Sequence, residues 1–220
     1  MLHFDHVSKR YPGSPDVLAD LSFSIAEGEL VFLTGRSGAG KTTILKLSAL
    51  IERSTRGQII FDGENLSRIP IRKIPYLRRK LGLIFQDYRL LNDRTVHDNV
   101  ALPLIIGGYP QREIGSRVRA ALDKVGLLEK EKKYPLLLSG GEQQRVGIAR
   151  AVVHKPRLIL ADEPTGNLDP ELSAEIMGLF EHFRQVGSTV LIASHDLELI
   201  SRMRSRILRL EHGGLADSIS

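Results

Sequence analysis

Leu30-Val31-Phe32-Leu33-Thr34-Gly35-Arg36-Ser37-Gly38-Ala39-Gly40-Lys41-Thr42 runs from a short apolar segment straight into a glycine-rich turn. A continuous apolar run of this length marks a strand buried on both faces, as in a parallel sheet covered by helices. Gly35 to Thr42 fits the pattern G-x-x-x-x-G-K-[ST]. Each part has a physical purpose. Glycines let successive backbone N–H groups curl around phosphate oxygens. The helix expected over Thr42 to Leu50 turns its positive end toward the same anion. Lys41 supplies a mobile cation for β- and γ-phosphates, and Thr42 a hydroxyl for Mg²⁺, which prefers oxygen ligands. A buried strand, this loop and a helix, in that order, predict a phosphate-binding α/β core.

Outward from the loop the chain is strand-rich, then helical, then strand-rich again. Leu2-Phe4-His6 and Leu18-Leu21-Phe23-Ile25 alternate as strands do, with Gly13 and Pro15 marking the turn between them. Gln58 to Phe61 and Leu81 to Phe85 read as further strands. From about Tyr88 to Lys155 helical periodicity dominates, with helices expected over Arg112 to Val125 and Gly141 to Val153. Strands return at Leu158 to Ala161 and Thr189 to Ala193, around a helix from Pro170 to Arg184. There is no internal repeat or low-complexity linker, so one domain of 220 residues is expected.

Four other places carry candidate chemistry. Asp162 and Glu163 end an apolar strand, where acids reach the edge of a ligand crevice. Alone, such a pair reads as acids capping a helix; beside a phosphate loop, Asp162 is suited to Mg²⁺ and Glu163 to taking a proton from water. Gln86 follows one expected strand and His195 another; on residue grounds alone Gln86 reads as an ordinary loop glutamine and His195 as a structural histidine. Tyr11 is equally a core aromatic or a stacking surface. Ser139-Gly140-Gly141-Glu142 precedes a helix, so it is either a capped helix start or a second anion site.

Leu138-Ser139-Gly140-Gly141-Glu142-Gln143-Gln144-Arg145 resembles the signature of ABC ATPases, and the resemblance covers nearly the whole chain. Gly35 to Thr42 matches Walker A, Leu158 to Glu163 Walker B, Gln86 the Q-loop, Gly166-Asn167-Leu168-Asp169 the D-loop, and His195 the switch histidine. Ala161 to Asp169 resembles the subgroup of cell-division, lipoprotein-release and macrolide-export ATPases. Phe85 to Val96, Asp98 to Leu104 and Arg145 to Val153 are most similar to its cell-division branch, the FtsE type. Thr43 and Ser194 depart mildly from the family's usual residues.

The resemblance implies an ABC nucleotide-binding domain: a RecA-like parallel-sheet core together with an N-terminal antiparallel β subdomain (1–87 and 156–220), and an inserted helical subdomain (88–155). It implies ATP hydrolysis, with Glu163, His195, Gln86 and Lys41 catalytic and Thr42, Gln86 and Asp162 around Mg²⁺. Nucleotide contacts fall to Tyr11, Gly35, Arg36, Ser37, Gly38, Ala39, Gly40, Lys41, Thr42 and Thr43, with Ser139, Gly140, Gly141, Glu142 and Asp169 contributing across a head-to-tail homodimer. For the cell-division branch it further implies a membrane partner of the FtsX type, met through a groove that Asp87 to Val100 helps line. The corresponding location is the cytoplasmic face of the inner membrane. A lipoprotein-release or macrolide-export ATPase is the neighbouring alternative.

Composition narrows the classes further. The chain has no cysteine, which excludes disulfides and thiolate metal sites. No apolar stretch approaches the ~18–20 residues that span a bilayer, and Met1 to His6 lacks the pattern of a signal peptide. A membrane link is therefore expected to come through a partner. The net charge of +5 suits nucleotides, anionic lipid or nucleic acid, or simply a solvated surface. Basic residues cluster at Arg72-Lys73, Arg78-Arg79-Lys80 and Arg202 to Arg209. A DNA-associated ABC ATPase would need a coiled-coil or zinc-bearing insertion that this sequence lacks, so no DNA partner is expected.

Overall fold

The computed structural model describes residues 1–166 and 168–216. Two sheets organise them. The first has the order β2-β1-β4-β5 and is antiparallel, from β1 (Leu2–Arg10), β2 (Asp16–Ile25), β4 (Arg56–Phe61) and β5 (Glu64–Asn65). The second has the order β10-β9-β3-β8-β7-β6. Its strands β3 (Leu30–Gly35), β6 (Leu81–Ile84), β7 (Leu158–Asp162), β8 (Thr189–Ala193) and β9 (Arg206–Glu211) are parallel, and the short β10 (Gly214–Leu215) closes one edge antiparallel.

The parallel strands are apolar on both sides because both sides are covered. Leu30 and Phe32, Ile159 and Ala161, and Val190 and Ile192 pack into one core. Their neighbours Val31 and Leu33, Leu158 and Leu160, and Leu191 and Ala193 pack into the other. The first core joins the sheet to α6 (Pro170–Gln185) and to three helices inserted between β6 and β7. The second joins it to α1 (Lys41–Ser48) and the antiparallel sheet. Phe32 is fully buried, and truncating it to alanine would cost about 3–5 kcal/mol.

The inserted helices are α3 (Val96–Gly107), α4 (Gln111–Lys124) and α5 (Gly140–Val152). Sequence periodicity singles out only the last two. Helix α3 begins at a capping box between Thr95 and Asp98 and ends at Gly108 in the left-handed region. Two smaller α-helices lie among the described residues: α2 (Ile74–Arg78) ahead of β6, and α7 (Leu197–Arg202) ahead of β9.

One expectation needs correction. The alternation Leu2-Phe4-His6 would send His6 inward, but the buried series is Leu2, Phe4, Val7. His6 and Asp20 both adopt positive φ, at 47° and 50°, where the β1–β2 register shifts. Their side chains meet outside, Nδ1 to Oδ1 at 2.6 Å. The bulge inserts a residue and flips the remaining alternation.

Candidate functional site

Parallel order gathers the candidate residues. β3, β8, β7 and β6 lie side by side and all end at one edge, so the segments after Gly35, Ala193, Asp162 and Ile84 meet there. A cleft of about 380 Å³ opens at this edge. Ser37, Gly38, Gly40, Lys41, Thr42 and Thr43 form one wall, with Gln86, Asp162 and Glu163 opposite.

The loop's geometry demands its glycines. Gly35 has φ 146°, and a Cβ there would lie 2.6 Å from the Leu210 carbonyl oxygen. Gly40 has φ 104° and abuts the Leu18 side chain in the same way. Gly40 is also the N-cap of α1, offers no side chain to the helix, and no acid occupies the first turn. The leading N–H groups therefore face the cleft uncapped, as an anion site requires.

The charged side chains are interlocked. Lys41 Nζ donates to the carbonyl of Gly35 at 2.8 Å and lies 4.0 Å from Glu163 Oε1. Thr42 Oγ1 donates to Asp162 Oδ1 at 3.2 Å. His195 Nδ1 is 2.9 Å from the other Glu163 oxygen, Oε2. Burial pushes the Asp162 carboxyl up, with the Thr42 hydroxyl opposing and the Glu163 charge adding to the rise. Glu163 itself has φ 47°, a strained conformation for a residue with a Cβ, held by its N–H bond to the Ala193 carbonyl.

Oxygen donors prevail where a cation would sit: Thr42 Oγ1, the partly buried Asp162 carboxylate and the Gln86 amide. No group of three or more His, Cys, Asp or Glu side chains is poised for a metal among the described residues. That is the donor set expected of Mg²⁺, which takes one or two protein oxygens and completes its shell with phosphate and water. Tyr11 stands beside α1, its hydroxyl 3.5 Å from Thr43 Oγ1 and Lys9 Nζ 4.9 Å from its ring centroid.

The remaining site candidates lie elsewhere. Ser139, Gly140 and Gly141 line no part of this cleft. Ser139 is the N-cap of α5, in a capping box with Glu142, whose carboxylate also binds Lys130. The Glu142 side chain is thus occupied within its own helix start. Gly141 packs so tightly on Leu172 that a Cβ would fall 2.2 Å from its Cδ2. Asp169 caps α6 by accepting from Leu172 N–H at 2.9 Å. Asn167, between them in the sequence, lies outside the described residues.

Two further residues connect these places. Gln144 is buried on α5 and donates to the Pro164 carbonyl, just past the acids, at 2.7 Å. Arg150, also on α5, donates to the Tyr88 and Arg89 carbonyls, just past Gln86. For Arg150 the available signal is a charged side chain amid the apolar stretch Val146 to Val152; Gln144 lies ahead of that stretch and has no such mark. A larger cavity, about 620 Å³, opens beside Leu30 at the opposite end of β3. Its lining includes Glu181 and Arg184, which neutralise each other at 2.6 Å, and none of the phosphate-loop residues.

Comparison with known proteins agrees with this geometry. The family model described as "ABC transporter" matches residues 18–166. The "Cell division ATP-binding protein FtsE" of Escherichia coli (strain K12) is 58% identical over 215 residues, 98% of this chain and 97% of that protein. The protein of the same name from Haemophilus influenzae is 52% identical, over 98% of this chain and 99% of its own length. A dimeric ATP-binding cassette solved in a post-hydrolysis state bound to ADP and Pi superposes with a TM-score of 0.91, at 32% identity, over 100% of this chain and 99% of that one.

Proposed function

We propose, from the premise that this chain belongs to the ABC transporter family, that it is the ATPase subunit of a cell-division complex of the FtsEX type. It is an ABC-type ATPase, and near-full-length identity to the cell-division ATP-binding proteins of several bacteria supports the narrower role. No helix among the described residues is long and apolar enough to cross a membrane. Mechanical work on a membrane therefore runs through a spanning partner, here of the FtsX kind.

The observation that carries the reading is a site divided in two. Lys41, Asp162, Glu163 and His195 converge on one cleft, while the start of α5, capped by Ser139 and Glu142, stands outside it. A second copy placed head to tail would set its Ser139 end over the cleft of the first. ATP then lies between two positive helix ends, and its charge holds the copies together.

Within the cleft, Lys41 gives up the Gly35 carbonyl for β- and γ-phosphate oxygens. Thr42, Asp162 and Gln86 would hold Mg²⁺, which would supply charge neutralisation on those phosphates. Glu163 is oriented on one oxygen by His195 and directs the other toward Lys41, where the γ-phosphate ends. That oxygen accepts the proton of the attacking water, help worth ~10²–10⁴-fold. Most of the remaining acceleration is positioning and charge stabilisation. Loss of the γ-phosphate removes the bridge, and the copies part.

Purification from membranes with bound proteins identified tests the role. Recovery of an FtsX-type protein that raises ATP turnover supports it. Recovery of a lipoprotein-release permease instead would reassign the complex while leaving the ATPase intact.

A further inference from the structure

Away from the cleft, the connection from β5 to β6 has a lopsided charge. Between Glu64 and Asp87 there is no acidic residue, but there are Arg68, Arg72, Lys73, Arg78, Arg79 and Lys80. Two of these are committed inward. Arg78 donates to the carbonyls of Ala49 and Leu50, at 3.2 and 2.7 Å, where α1 ends. Lys80 pairs with Asp62 at 2.8 Å. Arg68, Arg72, Lys73 and Arg79 are exposed, and none makes an ion pair among the described residues.

Large apolar side chains sit among these cations. Ile71 is 80% exposed and Tyr76 65% exposed. The Arg79 guanidinium lies over the Tyr76 ring, 5.0 Å from its centroid. Arg72, Tyr76 and Arg79 are spaced at i, i+4 and i+7, and Lys73 is three residues before Tyr76, which puts them on one face of this short helical stretch. Leu77 is buried on the other side and holds the stretch down.

A merely solvated basic face does not need Ile71 and Tyr76 out in water. A nucleic-acid backbone would use the cations but has no use for an isoleucine, and the one aromatic ring already carries Arg79. An acidic peptide would want a groove, and neither the cleft nor the cavity beside Leu30 includes any of these side chains. Cations that meet phosphate, an aliphatic side chain and a tyrosine at headgroup depth are the combination found at membrane surfaces. We propose that this face rests directly on anionic lipid, with Ile71 and Tyr76 entering the headgroup layer and Arg68, Arg72, Lys73 and Arg79 on lipid phosphates. The contact adds to whatever a spanning partner provides and does not depend on that partner's identity. Through Arg78 it is braced against the end of the phosphate-loop helix, and through β6 it leads to Gln86.

The full-length chain, without a membrane partner, should float with vesicles of mixed phosphatidylcholine and phosphatidylglycerol and not with phosphatidylcholine alone. Each cation removed should weaken partitioning about fivefold. Arg72→Glu, Lys73→Glu and Arg79→Glu together should abolish it. Ile71→Ser with Tyr76→Ser should remove the part of the binding that survives added salt. ATP hydrolysis measured without vesicles should be unchanged in all of these, since none of the residues lines the cleft. Equal binding to neutral vesicles, no binding to either, or full binding by the triple variant would overturn the proposal. So would a preference of this face for single-stranded DNA or poly-glutamate over the mixed vesicles.

Discussion

Arg150 donates to the Tyr88 carbonyl at 2.7 Å, and its second arm reaches the Arg89 carbonyl at 2.6 Å. The contact ties α5, whose N-cap is Ser139, to the loop that begins at Gln86. Tyr88 and Arg89 both have positive φ, at 54° and 48°, so the loop is strained where it is clamped. Burial lowers the Arg150 pKa, and among the described residues no carboxylate pairs with it. Arg150→Lys keeps a cation but loses the two-armed geometry. It should leave ATP affinity within about threefold while turnover falls at least about tenfold through a displaced Gln86. Arg150→Ala should also lose stability, about 1–3 kcal/mol for the carbonyls left unpaired, seen as a drop of several degrees in Tm. Wild-type turnover in the lysine variant would remove the clamp from the cycle.

Glu163→Gln keeps the shape and loses the proton acceptor. ATP binding should persist, turnover should fall by about 10²–10⁴ and the ATP-bound dimer should accumulate. His195→Ala leaves the carboxylate but frees the oxygen now fixed at 2.9 Å, so its loss should be smaller and fall on kcat more than on KM. Single-turnover kinetics separates the two variants. Unimpaired hydrolysis in Glu163→Gln would take this residue out of the reaction.

The parts most legible in the sequence were those where burial writes an unbroken apolar run. Leu30 to Leu33, Leu158 to Ala161 and Thr189 to Ala193 fall in the three central parallel strands. The phosphate loop was legible because only glycine tolerates Gly35 and Gly40 where they stand. Helix α3 was not singled out, since Pro103 lies inside it and apolar residues on all sides blur its period. The strand Arg206–Glu211 was hidden behind its arginines and read as a charge cluster, though Leu208 and Leu210 are buried. His6 went the wrong way because a bulge leaves no mark in a period-two count. Gln144 and Arg150 were missed for another reason: a polar side chain on a helix looks solvated until the neighbouring carbonyls are known.

The start of α5 gives a pH signature. Lys130 and the Ser139 N–H hold the Glu142 carboxyl below its ordinary value of 4.5. A carboxyl whose folded pKa is depressed stabilises the fold fully above its unfolded pKa, and the contribution disappears as pH falls through the folded value. Glu142→Gln lacks this titration. The wild-type advantage in denaturant melts should therefore be constant near neutrality, of the order of 0.5–2 kcal/mol for a helix start of this kind, and should shrink on acidification below about pH 4.5. An advantage that grows toward acid would contradict the assigned ion pair.

Ser139 separates binding from closure, because it caps α5 and lies outside the cleft of its own chain. Ser139→Arg puts a long cation where, in the proposed head-to-tail pair, the helix end would meet the ATP of another copy. The lost cap costs about 1 kcal/mol, too little to unfold the chain. A monomer should therefore bind ATP as before, since Lys41, Thr42 and Asp162 are untouched. Placed in the Glu163→Gln background, where the dimer otherwise persists, Ser139→Arg should return the protein to monomer in size-exclusion chromatography with ATP. Ser139→Thr, which keeps a hydroxyl cap, should retain the dimer in part. A stable ATP-dependent dimer in the arginine double variant would mean that the helix end at Ser139 does not face the nucleotide of the other copy.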